Sequence, residues 1–138
     1  MMTTCDLSTD DGFLSAFNDC SAPPSAFNHL GHLRIGWIHL QRYPLRQAID
    51  LTCDGIDRFA KHLGVPGKYN RTLSEALMLI MAHGGGADCA KPFDVFLAEN
   101  PALVGDALGL LGRYYTGDLL NSPAARTTFV APDISPLP

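Results

Sequence analysis

His29, His32 and His39 recur at intervals of three and seven residues, a spacing that brings side chains onto one stripe of an α-helix. An imidazole can take or give a proton near neutral pH, and its neutral form can ligate a divalent metal. His29 and His32 are therefore the candidate acid–base pair and the candidate metal ligands. His39 and Gly36 complete the stripe as candidate substrate-binding positions, Gly36 because a residue without a side chain lets a ligand approach the helix backbone closely. A metal would need more donors, and Glu75, His83, His39 or a cysteine thiolate are the residues that could supply them. Further along, Lys68-Tyr69-Asn70-Arg71-Thr72 stands at the start of a helix, where free N–H groups favour a carboxylate. Tyr69 and Asn70 are accordingly candidate substrate contacts. Each feature also has a plainer reading: His29 as a helix-start hydrogen-bonder, His32 and His39 packed half-buried, and the 68–72 segment as a simple cap.

Several other chemistries find no support in the residues. His29-x-x-His32 lacks the glutamate of a His-Glu-x-x-His metalloprotease helix. Gly84-Gly85-Gly86 is followed by no Lys-Ser/Thr pair, and Gly105-x-x-x-Gly109-x-x-Gly112 has no preceding strand, so no nucleotide loop is expected. Cys5, Cys20, Cys53 and Cys89 are widely spaced, as free thiols in a reducing compartment would be, although their even number permits two disulfides. With 14 acidic against 10 basic residues and no basic block, nucleic acid and anionic membranes are not expected partners. The N-terminus has no charged-then-apolar export pattern and no apolar run is long enough to span a bilayer, which points to the cytoplasm.

The elements that must position these side chains follow from the apolar spacing. The chain has 138 residues, 46% hydrophobic and 17% charged, which fits one folded domain over 1-138. Residues 1-8 and 132-138 are expected to be extended or flexible, the latter because prolines forbid a helix. Apolar residues recur at helical intervals and alternation is scarce, so the class is all-α, a bundle of five to six helices. The spacing predicts helices over 10–18, from an Asn28 cap to about Tyr43, from Pro44 or Leu45 to Gly64, from a Thr72-x-x-Glu75 capping box to His83, over 91–99 and over 102–115, with a short turn at 121–126. In the second of these, Leu30, Leu33, Trp37 and Leu40 form a core face beside the histidine stripe, and Arg34 is expected in an ion pair. The groups around Arg113-Tyr114-Tyr115 and Arg126 to Val130 are expected to lock the C-terminal segment onto the bundle.

Phe27-x-His29-x-x-His32-Leu33-Arg34-x-x-Trp37, Arg58-Phe59, Gly67-Lys68-Tyr69, and Tyr114-Tyr115 followed by Ala125-Arg126-x-x-Phe129-Val130-x-Pro132-Asp133 together resemble an uncharacterised family of small all-helical bacterial proteins. The resemblance spans about residues 13 to 133 and implies a single helical domain; it implies no activity. In similar sequences a histidine often follows the Lys-Tyr pair. Here that position is Asn70, a neutral amide in place of a titratable ligand. Two functions follow as expectations. One is a histidine-cluster catalyst acting on a small molecule by acid–base or metal-assisted chemistry, for instance in specialised-metabolite biosynthesis. The other is a non-catalytic accessory subunit, forming a homo- or hetero-oligomer or completing a larger partner protein through an apolar surface around Ile35, Ile38 and Met78.

Overall fold

Side-chain oxygens set where most of the helices begin. In a computed structural model, which describes residues 7–138, Thr9, Asn28, Asn70, Asp106, Thr116 and Ser122 each accept a hydrogen bond from an N–H in the first turn that follows. The helices are α1 (Asp10–Asn18), α2 (His29–Arg42), α3 (Leu45–His62), α4 (Arg71–Met81), α5 (Phe93–Glu99), α6 (Pro101–Gly105), α7 (Ala107–Leu111), α8 (Gly117–Leu120) and α9 (Pro123–Thr127). There is no strand among the described residues, and the chain is a single all-α domain.

The first five helices lie close to the expected bounds, and a short helix, α9, stands where a last turn was expected. The expected helix over 102–115 is split into α6 and α7 because Asp106 leaves helical geometry and turns its carboxylate back onto Gly109 N, 3.2 Å away. Likewise the expected capping box at Thr72 does not form. Asn70 is the cap of α4, accepting from Leu73 N at 3.0 Å, while Thr72 and Glu75 are drawn into tertiary contacts. At its other end α4 runs into a wide π turn, Ala82–Gly86, where Gly85 takes φ 98°, a conformation that glycine adopts without strain.

Helix α2 packs on α1, α3 and the turn after α4, so most of its middle is buried. Ile35 and Ile38 are fully buried, and Met78 is buried opposite them. They therefore do not form the outer docking surface expected from the sequence. Leu30, assigned to the core face, is instead 45% exposed. One half of the core gathers Leu33, Leu40, Ile49, Met78, Met81 and Phe96. The other is a stack of rings in which Phe27 sits 4.5 Å from Phe59, 4.9 Å from Phe17 and 5.4 Å from Phe13. Gly55 of α3 faces that stack, and a Cβ there would overlap the ring of Phe17, so close contact of α3 with α1 requires glycine. Trp37 bridges the two halves and leans on Phe93 at 5.3 Å.

Glu75 is held between two arginines. Arg46 reaches both of its carboxylate oxygens at 3.0 and 3.1 Å, and Arg71 approaches Oε1 at 3.0 Å while also pairing with Asp50 at 2.8 Å. Burial raises the Glu75 pKa, but the hydrogen bonds from Arg46 and Arg71 outweigh it, so the carboxyl stays below its usual range.

After α9 the chain is extended and fastened. Thr72 Oγ1 donates to Thr128 O and accepts from Val130 N, Tyr115 Oη donates to Val130 O at 2.7 Å, and Arg126 donates to Gly67 O at 2.8 Å. Asp133 then accepts from both Thr116 N and Thr116 Oγ1.

Candidate functional site

Because α2 starts at Asn28, whose side chain accepts from Gly31 N, His29 lies in its first turn and His32 one turn later, both on the side facing α3 and α4. There they line an inner cavity of about 70 Å³ together with Thr52 of α3 and Ser74 of α4, walled by Leu33, Ile56, Leu77, Met78 and Met81. That space suits a few waters among four polar side chains and is too small for an ordinary substrate. His29 is fixed by an Nε2–H donated to Leu103 O at 2.5 Å.

His32 also borders a larger cleft of about 280 Å³ on its other side. Phe27, Ile56, Phe59, Leu63, Val65 and Tyr69 supply most of the wall, and Lys68 is its one charged side chain besides the titratable ring of His32. His32 and Ile56 thus stand between the inner cavity and the cleft. Part of the ring surface of His32 is open to solvent, but protein surrounds the rest, and Phe27 lies 5.8 Å from it. Burial, and then the neighbouring His29, hold the His32 pKa below the ordinary imidazole value, so the ring is neutral at pH 7. A neutral imidazole can accept a proton or a hydrogen bond from a bound molecule.

The other candidate residues are engaged elsewhere. His39 is 3% exposed, with Nδ1 and Thr52 Oγ1 hydrogen-bonded at 2.7 Å, so it backs the cavity wall through Thr52 and does not face the space. Burial first, then Arg42, push its pKa down to about 4. The space over Gly36 is filled by methionine, since a Cβ there would come within 2.7 Å of Met78 Sδ, so its small size admits α4 and no ligand. Asn70 is buried and spends both ends of its amide, the oxygen on Leu73 N and the nitrogen on Leu120 O at 2.7 Å. It is a structural joint between α4 and α8. Tyr69 does border the cleft, and burial raises its hydroxyl pKa, with Cys53 and Arg71 as neighbours.

A divalent metal does not fit this donor set. Among the described residues no three His, Cys, Asp or Glu side chains are grouped to hold one. Glu75 is taken by Arg46 and Arg71, His83 is exposed beyond the end of α4, and the buried Cys53 thiol is pushed up to about 12, chiefly by burial. Cys20, Cys53 and Cys89 are free thiols; Cys5 lies outside the described residues.

A larger groove of about 660 Å³ opens elsewhere, between α1, α2 and the start of α5, lined by Phe13, Leu30, Arg34, Trp37 and Phe93. It is a broad open surface with no histidine. Its arginine is already used, donating to Leu7 O at 2.7 Å, pairing with Asp10 at 3.2 Å and covering the Phe13 ring at 4.4 Å. The indole N–H of Trp37 is closed off from solvent and has no hydrogen-bond partner among the described residues. The smaller His32 cleft, where a titratable group meets an apolar wall, is the better candidate despite its size.

Phe27, Ile56 and Phe59 were not marked as site residues by the sequence. Their spacing assigns Ile56 and Phe59 to a helix inner face, and nothing local distinguishes a core position from a cleft wall. No family model, curated protein or solved structure matches the chain. Among the described residues no helix is long and apolar enough to cross a membrane.

Proposed function

We propose that the chain binds a small organic molecule in the cleft beside His32, and that the neutral His32 imidazole serves as its proton or hydrogen-bond acceptor. The observation that carries this reading is the position of His32 between the 280 Å³ cleft and the smaller cavity that it shares with His29, Thr52 and Ser74. A molecule in the cleft meets hydrocarbon on most sides and one titratable nitrogen-bearing ring, the arrangement of a small-molecule site. His29, Thr52 and Ser74 lie behind that ring and can hold water through which a proton leaves or arrives. Chemistry on the bound molecule would then be acid–base chemistry.

The test is a screen of one-ring fragments followed on the histidine ring signals by NMR. Fragments that shift the His32 signals should bind at least about tenfold more weakly to His32→Gln, with the fold checked by circular dichroism. Hits that perturb only the groove around Trp37, or that bind His32→Gln unchanged, would remove the reading.

The accessory-subunit reading is favoured by a different observation: Val104 of α6 and Leu108 of α7 are 45% and 70% exposed. Light scattering on the purified chain should then find self-association or a retained partner, and a bare monomer opposes it.

A further inference from the structure

We propose that the occupant of the His32 cleft is a small aromatic carboxylate, its ring against the apolar wall and its carboxylate directed to Lys68. This inference rests on the His32 site proposed above and names the ligand class it selects.

Size sets the first limit. At about 280 Å³ the cleft falls just below the roughly 300–1,000 Å³ typical of drug-sized ligands, so it suits one ring with a short substituent. Composition sets the second. Ile56, Leu63 and Val65 line the cleft in front of the nearly buried rings of Phe27 and Phe59, an apolar wall that favours a flat apolar body.

Charge sets the third. Lys68, in the tight turn Pro66–Lys68 that precedes α4, is exposed and is the only permanently charged side chain on the cleft. No carboxylate among the described residues lines the space. The nearby acids are engaged, Asp57 with Lys61 at 3.0 Å and Asp50 with Arg46 and Arg71. A cation at the rim of a cleft without acids discriminates against cationic ligands and in favour of anionic ones. His32 borders the same cleft, where its ring can lie against the ligand's ring and accept a hydrogen bond from a ring hydroxyl when the ligand carries one.

Phenylacetate and phenylacetamide, which share shape and differ in charge, separate the parts of the argument. Calorimetry should find phenylacetate bound at least about fivefold more tightly, with the preference lost in Lys68→Met and kept in Lys68→Arg. Lys68 is exposed, so neither change should disturb the fold. If the amide binds equally well or better while shifting the His32 ring signals, the ligand class is wrong and the His32 site stands. If neither compound moves those signals at millimolar concentration, site and ligand class are both wrong.

Discussion

Replacing Phe59 with alanine should destabilise the protein by about 3–5 kcal/mol, the usual cost of truncating a well-packed buried phenylalanine. Phe59 is 3% exposed and stacks on Phe27 at 4.5 Å and on Phe17 at 6.3 Å, so its removal strips contacts from α1, the turn before α2, and α3 together. Phe17 is held on α1, whose start is capped by Thr9, and Phe27 is stacked on Phe13 and Phe17, so these rings cannot simply collapse into the gap. For a domain of this size each kcal/mol is worth about 4 °C, so thermal unfolding followed by circular dichroism should show a fall of at least about 10 °C. The same change enlarges the His32 cleft, which Phe59 lines. A loss below about 1 kcal/mol would mean that the ring stack is not the centre of this half of the core.

Acid should weaken the fold well before the carboxylates protonate, because of His39. Burial holds its folded pKa near 4, against about 6.5 for an unfolded histidine. Between those values the unfolded chain binds the proton and the folded chain does not, so stability is full above about pH 6.5 and falls as the pH drops toward 4. The expected loss from this one group is about 2 kcal/mol at pH 5 and about 3 kcal/mol at pH 4. His32, whose pKa is also lowered, adds a loss of the same sign below pH 6.5. Glu75, lowered in its turn, contributes stability above about 4.5 that is lost at still lower pH. Urea unfolding of the protein and of His39→Gln, which can still bond Thr52, isolates the His39 share between pH 7 and 5. Parallel pH profiles for the two would show that His39 is not sealed as described.

The long, capped helices were readable because their signals are local. The Asn28 cap and the Pro44 break each act within a few residues, and α1 to α3 lie where apolar spacing puts them. Thr72 and Glu75 show where local reading fails. Their spacing is that of a capping box, but Thr72 bonds the strap after α9 and Glu75 the arginines of α3 and α4. These partners win because Thr128 and Val130 bring otherwise unsatisfied backbone groups from far along the chain, and because Glu75 is claimed by the charges of Arg46 across from α3 and Arg71 one turn earlier in α4. The histidine stripe was legible as a periodicity and only partly as a site. His29 and His32 share a cavity, whereas His39, on the same face of α2, meets Thr52 where α3 closes over it. Which part of a stripe stays open depends on the neighbouring helix, and α2 alone does not carry that information. Gly36 repeats the lesson: a missing side chain reads as room for a ligand until α4 brings Met78 into the space.

The strap that follows α9 has a consequence for synthesis. Its bonds from Thr128 and Val130 to Thr72, and from Arg126 to Gly67, join segments that a ribosome produces far apart in time. The opening turn of α4 and the loop carrying Lys68 therefore lack their final bracing until residues 126–130, more than fifty positions later, have emerged. Helices α1 to α3 can pair earlier, but the rim of the cleft takes its finished form only once residues 126–130 are free to dock, and a chain stopped short of Arg126 would leave that rim unbraced.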